Sequence, residues 1–163
     1  MKFDTLIKGG TVVTAEETIK KADVGIVGEK ISAIGVGLAK QAEADNVIDA
    51  KGKYVLPGID MHVHLDMPFM GSNSCDGYDA GHRAAAKGCV TTTIDFALPY
   101  GEDTLNQALD NWMKRAEKAC VDYAFHSAIS DYPRHKKEMK SIIDRGVPTF
   151  KEFMIYKNMG WQS

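Results

Sequence analysis

From Pro57 onward the chain alternates short apolar runs with stretches of helical period, and this alternation restricts it to few folds. The strand-like runs are 55–65, 90–97, 123–129 and 148–155, and between them lie 78–87, 103–118 and 134–145. In 103–118, Leu105, Leu109, Trp112, Met113 and Ala116 fall on one helical face, with Asp103-Thr104 as N-terminal cap. Strand and helix alternating in this way predict βαβ units around a parallel sheet, an α/β fold. An eight-stranded α/β barrel takes about 250 residues. Here about 108 follow residue 55 of a 163-residue chain, and the sequence stops just after the fourth strand-like run. The pattern suits either a small four-stranded α/β domain or the first half of a barrel.

Residues 1–54 read differently, as short strands and turns. Leu6-Ile7-Lys8-Gly9-Gly10-Thr11-Val12-Val13 is β-branched around a Gly-Gly break. Gly28-Glu29 between alternating apolar positions predicts a hairpin with a type II′ turn. Lys51-Gly52, between Val47-Ile48-Asp49-Ala50 and Lys53-Tyr54-Val55-Leu56, predicts a second hairpin. This segment is expected to be a small β module carrying no chemistry, followed by an α/β unit over 55–163.

Composition removes several function classes. The net charge of −2 gives no basic face for nucleic acid. No run approaches the roughly 18 apolar residues of a membrane span, and Met1-Lys2-Phe3-Asp4 puts charge where a signal peptide needs its apolar core. Cys75, Cys89 and Cys120 are odd in number and form no Cys-x-x-Cys pair, which fits a reducing cytoplasmic compartment. Cys89, in an apolar run, is expected to be a buried small hydrophobe.

The strongest local signal is Pro57-Gly58-Ile59-Asp60-Met61-His62-Val63-His64-Leu65-Asp66. In a strand, residues i and i+2 share a face, so His62 and His64 can present two imidazoles to one ion; alone, a His-x-His reads more readily as two surface histidines. Lys151 stands in the apolar run Thr149-Phe150-Lys151-Glu152-Phe153-Met154-Ile155. It reads as a strand-end lysine reaching solvent or pairing with Glu152, although a lysine among apolar groups also loses its charge readily. His126 is read as a core or supporting histidine and not a ligand. His82 and His135 fall on predicted helices and are expected to be exposed, and Arg134-His135-Lys136-Lys137 to be a solvated helix face.

Five segments, in order, resemble the cyclic amidohydrolases, and within them the dihydropyrimidinase/hydantoinase group. They are the opening strand around Gly9-Gly10, the stretch from Pro57 to Phe69, Arg83-Ala84-Ala85-Ala86 with Thr91-Thr92-Thr93-Ile94-Asp95-Phe96-Ala97, Asp122-Tyr123-Ala124-Phe125-His126, and Phe150-Lys151-Glu152-Phe153-Met154-Ile155-Tyr156-Lys157. The resemblance implies a β-sandwich segment over 1–54 and the first four strands of a (β/α)8 TIM-type barrel over 55–163. It implies His62 and His64 as ligands of one metal ion and Lys151, carboxylated by carbon dioxide, as a carbamate bridging to a second; the two divalent ions are expected to be zinc. Tyr156, five residues past Lys151, then hydrogen-bonds the substrate carbonyl as it becomes an oxyanion. Phe153 and Trp161 are candidates for lining the pocket, though aromatics near a strand end are more often packing.

The implied reaction is hydrolytic ring opening of a small cyclic amide or imide, and the implied assembly a homo-oligomer, a tetramer by resemblance. Two further histidines and an aspartate of the family site lie beyond the fourth strand. The chain by itself is therefore expected to be inactive, and poorly soluble or dependent on other chains. An allantoinase-like or dihydroorotase-like activity is the alternative within the family, and a catalytically silent scaffold the alternative outside it.

Overall fold

The structure is a computed structural model and describes residues 2–154. The chain divides into two compact units, Met1–Pro57 and Gly58–Ser163.

The first unit is a five-stranded sheet built on β1 (Lys2–Val13). Antiparallel to it runs β2 (Thr18–Val27), followed by β3 (Lys30–Val36), and Gly28 at φ 59 opens the tight β2–β3 turn as the sequence predicts. The Gly9-Gly10 break is a bulge: the register with β2 shifts there and Gly9 takes φ 72. Asp23, 4% exposed, secures it, with Oδ1 accepting from Gly9 N–H at 2.8 Å and Oδ2 from Ala39 N–H at 3.0 Å.

The second predicted hairpin is absent. β4 (Glu43–Asp49) and β5 (Tyr54–Val55) both pair in parallel with β1, at Lys2–Lys8 and at Thr11–Val12. β1 is long enough to offer one edge to both. The Lys51-Gly52 turn, with Gly52 at φ 74, steps the chain along that edge instead of folding it back. Gly25 is required here because the Phe3 ring lies where its Cβ would be.

The second unit is a four-stranded parallel sheet with the order β11-β10-β9-β6, from β6 (Ile59–Asp60), β9 (Thr92–Ala97), β10 (Asp122–Ile129) and β11 (Phe150–Glu152). A small hairpin, β7 (Pro68–Phe69) with β8 (Ser72–Asn73), follows β6. Helix α1 (Tyr78–Lys87) links β6 to β9 and α2 (Leu105–Arg115) links β9 to β10, so the predicted βαβ order holds. Thr104 caps α2 in a capping box with Gln107. Leu105, Leu109, Trp112 and Ala116 form the buried face, while Met113 stays 46% exposed. They belong to one buried cluster with Phe96, Ala97, Leu98, Phe125 and Ala128 of the sheet.

Four local expectations are corrected. The run 55–65 is not one strand: Val55 pairs with β1, Ile59 with β9, and Leu56-Pro57-Gly58 breaks it where proline has no N–H to give a ladder. The helix over 134–145 is two, α3 (Tyr132–His135) and α4 (Met139–Asp144), and the turn between them lets Glu138 Oε2 accept from Leu105 N–H at 2.9 Å. His82 and His135 are both fully buried, His82 Nε2 lying 2.9 Å from Thr93 Oγ1 and His135 Nε2 3.3 Å from the Asp103 carbonyl oxygen. Arg134 is half-buried and bonds across the surface to Glu102 and the Gly101 carbonyl, which leaves Lys136 and Lys137 as the exposed part of that run. Among the described residues no helix is long and apolar enough to cross a membrane.

The fourth correction is Cys89, which is exposed. It sits one residue past the cap of α1 at φ 63, with Cys89 N–H donating to Ala86 O (3.1 Å) and Val90 N–H to Ala85 O (2.8 Å). This is a Schellman ending with cysteine where glycine is favoured. Cys89→Gly should therefore raise stability by about 1 kcal/mol, read as an increased urea midpoint with unchanged slope; an unchanged or lowered midpoint would refute the strain.

Candidate metal centre

Past β6 the chain runs extended through 61–65, tied to β9 by Val63 N–H donating to the Ile94 carbonyl at 3.2 Å. Asp60 Oδ1 accepts from His62 N–H at 3.1 Å as the strand ends. His62 and His64 thus lie just beyond the C-terminal end of a parallel strand, where α/β folds gather functional side chains. Their rings meet edge to face, 5.1 Å between centroids.

Both rings rest on Phe96, at 4.6 Å and 5.1 Å. Phe96 is 5% exposed, so its ring is a fixed floor. In the parallel register His126 pairs with Phe96 and Lys151 with Ala128, so strand alternation sends Phe96, His126 and Lys151 to one face. Lys151 Nζ stands 4.2 Å from the Phe96 centroid and 5.0 Å from that of Phe153. The Phe96 ring is therefore shared by His62, His64, His126 and Lys151.

Burial lowers the Lys151 pKa, against the pull of the aromatic faces toward the ammonium form. Burial first, then the positive charges of Lys151 and His62, lower that of His64. A proton on Lys151 or His62 thus disfavours one on His64, and burial favours the neutral amine of Lys151. Neutral imidazole and a deprotonated amine suit an electrophile, and the first is a common metal ligand.

The rest of the cluster is committed elsewhere. His126 Nε2 faces the Met61 carbonyl at 3.2 Å and Nδ1 lies 2.6 Å from Thr149 Oγ1. A carbonyl only accepts, so Nε2 carries the proton and Nδ1 accepts from the threonine. Among the described residues no three His, Cys, Asp or Glu side chains gather as a metal site, and the donors brought together are two imidazoles and one amine. Phe153 is half-buried against the core and close to Lys151. Tyr156 and Trp161 lie outside the described residues.

Four residues escaped the sequence reading. Phe96 is the floor. Asp95 is 1% exposed and accepts from Tyr78 O–H (2.8 Å), Leu65 N–H (3.0 Å) and Phe96 N–H (2.6 Å). Burial raises its pKa, while those three hydrogen bonds pull the other way. Arg115, at the end of α2, donates to the backbone and side-chain oxygens of Asp66 at 2.9 Å and 2.8 Å, holding that residue at φ 49 just after His64. The available signal was Asp95 itself, an acid inside an apolar strand that must be paired if buried.

No protein-family model matches the chain. It is 43% identical over 162 residues to a D-hydantoinase of Streptomyces coelicolor, covering 96% of this chain and 34% of that protein. The chain belongs to the dihydropyrimidinase/hydantoinase family. A dihydropyrimidinase of Rattus norvegicus is 40% identical, with 94% of this chain and 31% of the relative covered. The crystal structure of dihydropyrimidinase from Brevibacillus agri superposes with a TM-score of 0.75 at 44% identity, over 98% of this chain and 35% of that one. The chain spans about a third of the length of the relatives it matches.

The lowered Lys151 pKa has a direct consequence. As pH rises, Lys151 should lose its proton before the surface lysines do. In competitive acylation of the metal-free protein in carbon-dioxide-free buffer, mapped by mass spectrometry, its labelling should reach half its plateau at a lower pH than theirs. A curve coincident with surface lysines would show an ordinary ammonium.

Proposed function

We propose that this chain is the N-terminal part of a metal-dependent cyclic amidohydrolase that opens dihydropyrimidine-type or hydantoin-type rings with water. The observation that carries the reading is the convergence of His62, His64 and Lys151, whose pKa burial lowers, on the face of Phe96. The names of the relatives supply the substrate class. In this reading the parallel sheet is the first half of a (β/α)8 barrel and the five-stranded sheet belongs to a β-sandwich.

His62 and His64 offer nitrogen lone pairs to one ion. Lys151, as a neutral amine, attacks the carbon of carbon dioxide and releases a proton, which leaves a carbamate whose anionic oxygens serve two ions. Phe96 and Phe153 pack against the amine, and its burial lowers the pKa toward the neutral form that reacts. Two divalent ions, zinc by the imidazole and oxygen donors, supply Lewis acidity and lower the pKa of water when bound. Tyr156 would donate its hydroxyl proton to the substrate carbonyl oxygen as charge develops there. Because the chain spans a third of its relatives, the reading assigns the remaining ligands and the proton carrier to segments outside these residues. Assembly as a homo-oligomer, a tetramer by resemblance, belongs to the same proposal. So does a reducing cytoplasmic compartment, which three free, exposed cysteines support.

The test is Lys151→Ala in the full chain, assayed with hydantoin and dihydrouracil. Loss of an outer partner of a metal site costs about 10–100-fold, so loss of the bridge should cost more than about a hundredfold. Bound zinc, measured by elemental analysis, should fall from two ions per chain to one. Retained activity with two ions bound would overturn the bridging role.

A further inference from the structure

We propose that Asp95 is a positioning residue for His64: it accepts the Nδ1 proton of the imidazole and so leaves Nε2 as the nitrogen that binds the metal ion. The inference rests on the metal-centre reading above and adds to it which nitrogen coordinates and what enforces that choice. Among the described residues the buried His64 Nδ1 has no hydrogen-bond partner, although the ring as a whole is 31% exposed. The acceptor facing it is Asp95 Oδ1, at 4.0 Å.

The surroundings of Asp95 leave that oxygen with the task. Oδ2 is engaged by Tyr78 O–H and Leu65 N–H, whereas Oδ1 takes the neighbouring Phe96 N–H and keeps a lone pair toward the imidazole. Leu65 is the residue directly after His64, so one buried carboxylate holds the backbone beside the histidine and faces its ring. Tyr78, 2% exposed on α1, fixes the carboxylate from the helix side. Leu65 in turn covers Gly81 of the same helix, where a Cβ would collide with it.

The tautomer follows from charge and burial. With the proton on Nε2, the Nδ1 lone pair would point at a carboxylate oxygen and remain an unpaired acceptor in a buried place. With the proton on Nδ1, a ring movement of about 1 Å brings the pair into hydrogen-bond range, and Nε2 is directed away from the core with its lone pair free. A carboxylate behind a ligating histidine also raises its basicity.

Two measurements on the full chain test this. In zinc-loaded, 15N-histidine-labelled protein, the His64 imidazole should show a protonated Nδ1 and a coordinated Nε2. In chelator competition, Asp95→Asn should weaken zinc binding about 10–100-fold and Tyr78→Phe by a smaller factor, with the circular dichroism of the metal-free protein unchanged. Zinc-loaded protein with His64 protonated on Nε2, or Asp95→Asn with unaltered zinc affinity, overturns this inference and leaves the proposed function standing. Wild-type protein that binds no zinc overturns both. If Asp95→Asn does not fold, the tautomer in the unsubstituted protein decides.

Discussion

The packing of four nitrogen-bearing side chains on the Phe96 ring is the constraint on which the second unit's chemistry depends. The ring presents an apolar, slightly negative face, and being buried it cannot move aside. His62 and His64 reach it from the segment after β6, His126 from β10 and Lys151 from β11. Burial in this arrangement lowers the pKa of His64 and of Lys151, and neutral nitrogen is what coordination or carbamate formation requires. The same face shields Lys151 from water and lies under both candidate imidazole ligands.

Around that floor, one buried and two half-buried polar groups do the aligning. Asp95 ties α1 to the His64 segment through Tyr78 and the Leu65 N–H. Arg115 ties the end of α2 to Asp66, and His126 ties β10 to the Met61 carbonyl and to Thr149. Each carries a desolvation penalty that a purely apolar core would avoid. Each also sets the backbone within a residue or two of His62, His64 or Lys151.

Much of this was legible in the residues. The βαβ rhythm, the face and cap of α2, the Gly28-Glu29 hairpin and the break at Gly9-Gly10 are local matters of period, capping and turn chemistry, and all appear where the pattern puts them. The candidate pair His62 and His64 was equally plain. The failures were non-local. Lys51-Gly52 resembles a hairpin turn, yet the free edge of β1 captures both flanking strands. His82 and His135 look solvent-facing on a helix, but Thr93 and the Asp103 carbonyl give them buried partners. Cys89 looks apolar and internal, and the ending of α1 places it outside.

The sequence by itself determined the order of elements, because periodicity and turn residues are properties of neighbouring positions, and its resemblance to the family supplied the candidate ligands His62, His64 and Lys151. Only the tertiary structure decided what those ligands share. Phe96, Asp95, Tyr78 and Arg115 carry no motif; their roles arise from parallel register and helix packing, which bring together positions far apart in the chain, 49 residues in the case of Arg115 and Asp66. The charge state of Lys151 is likewise a tertiary property, because lysine is lowered in pKa by burial and burial exists only after the strands have met.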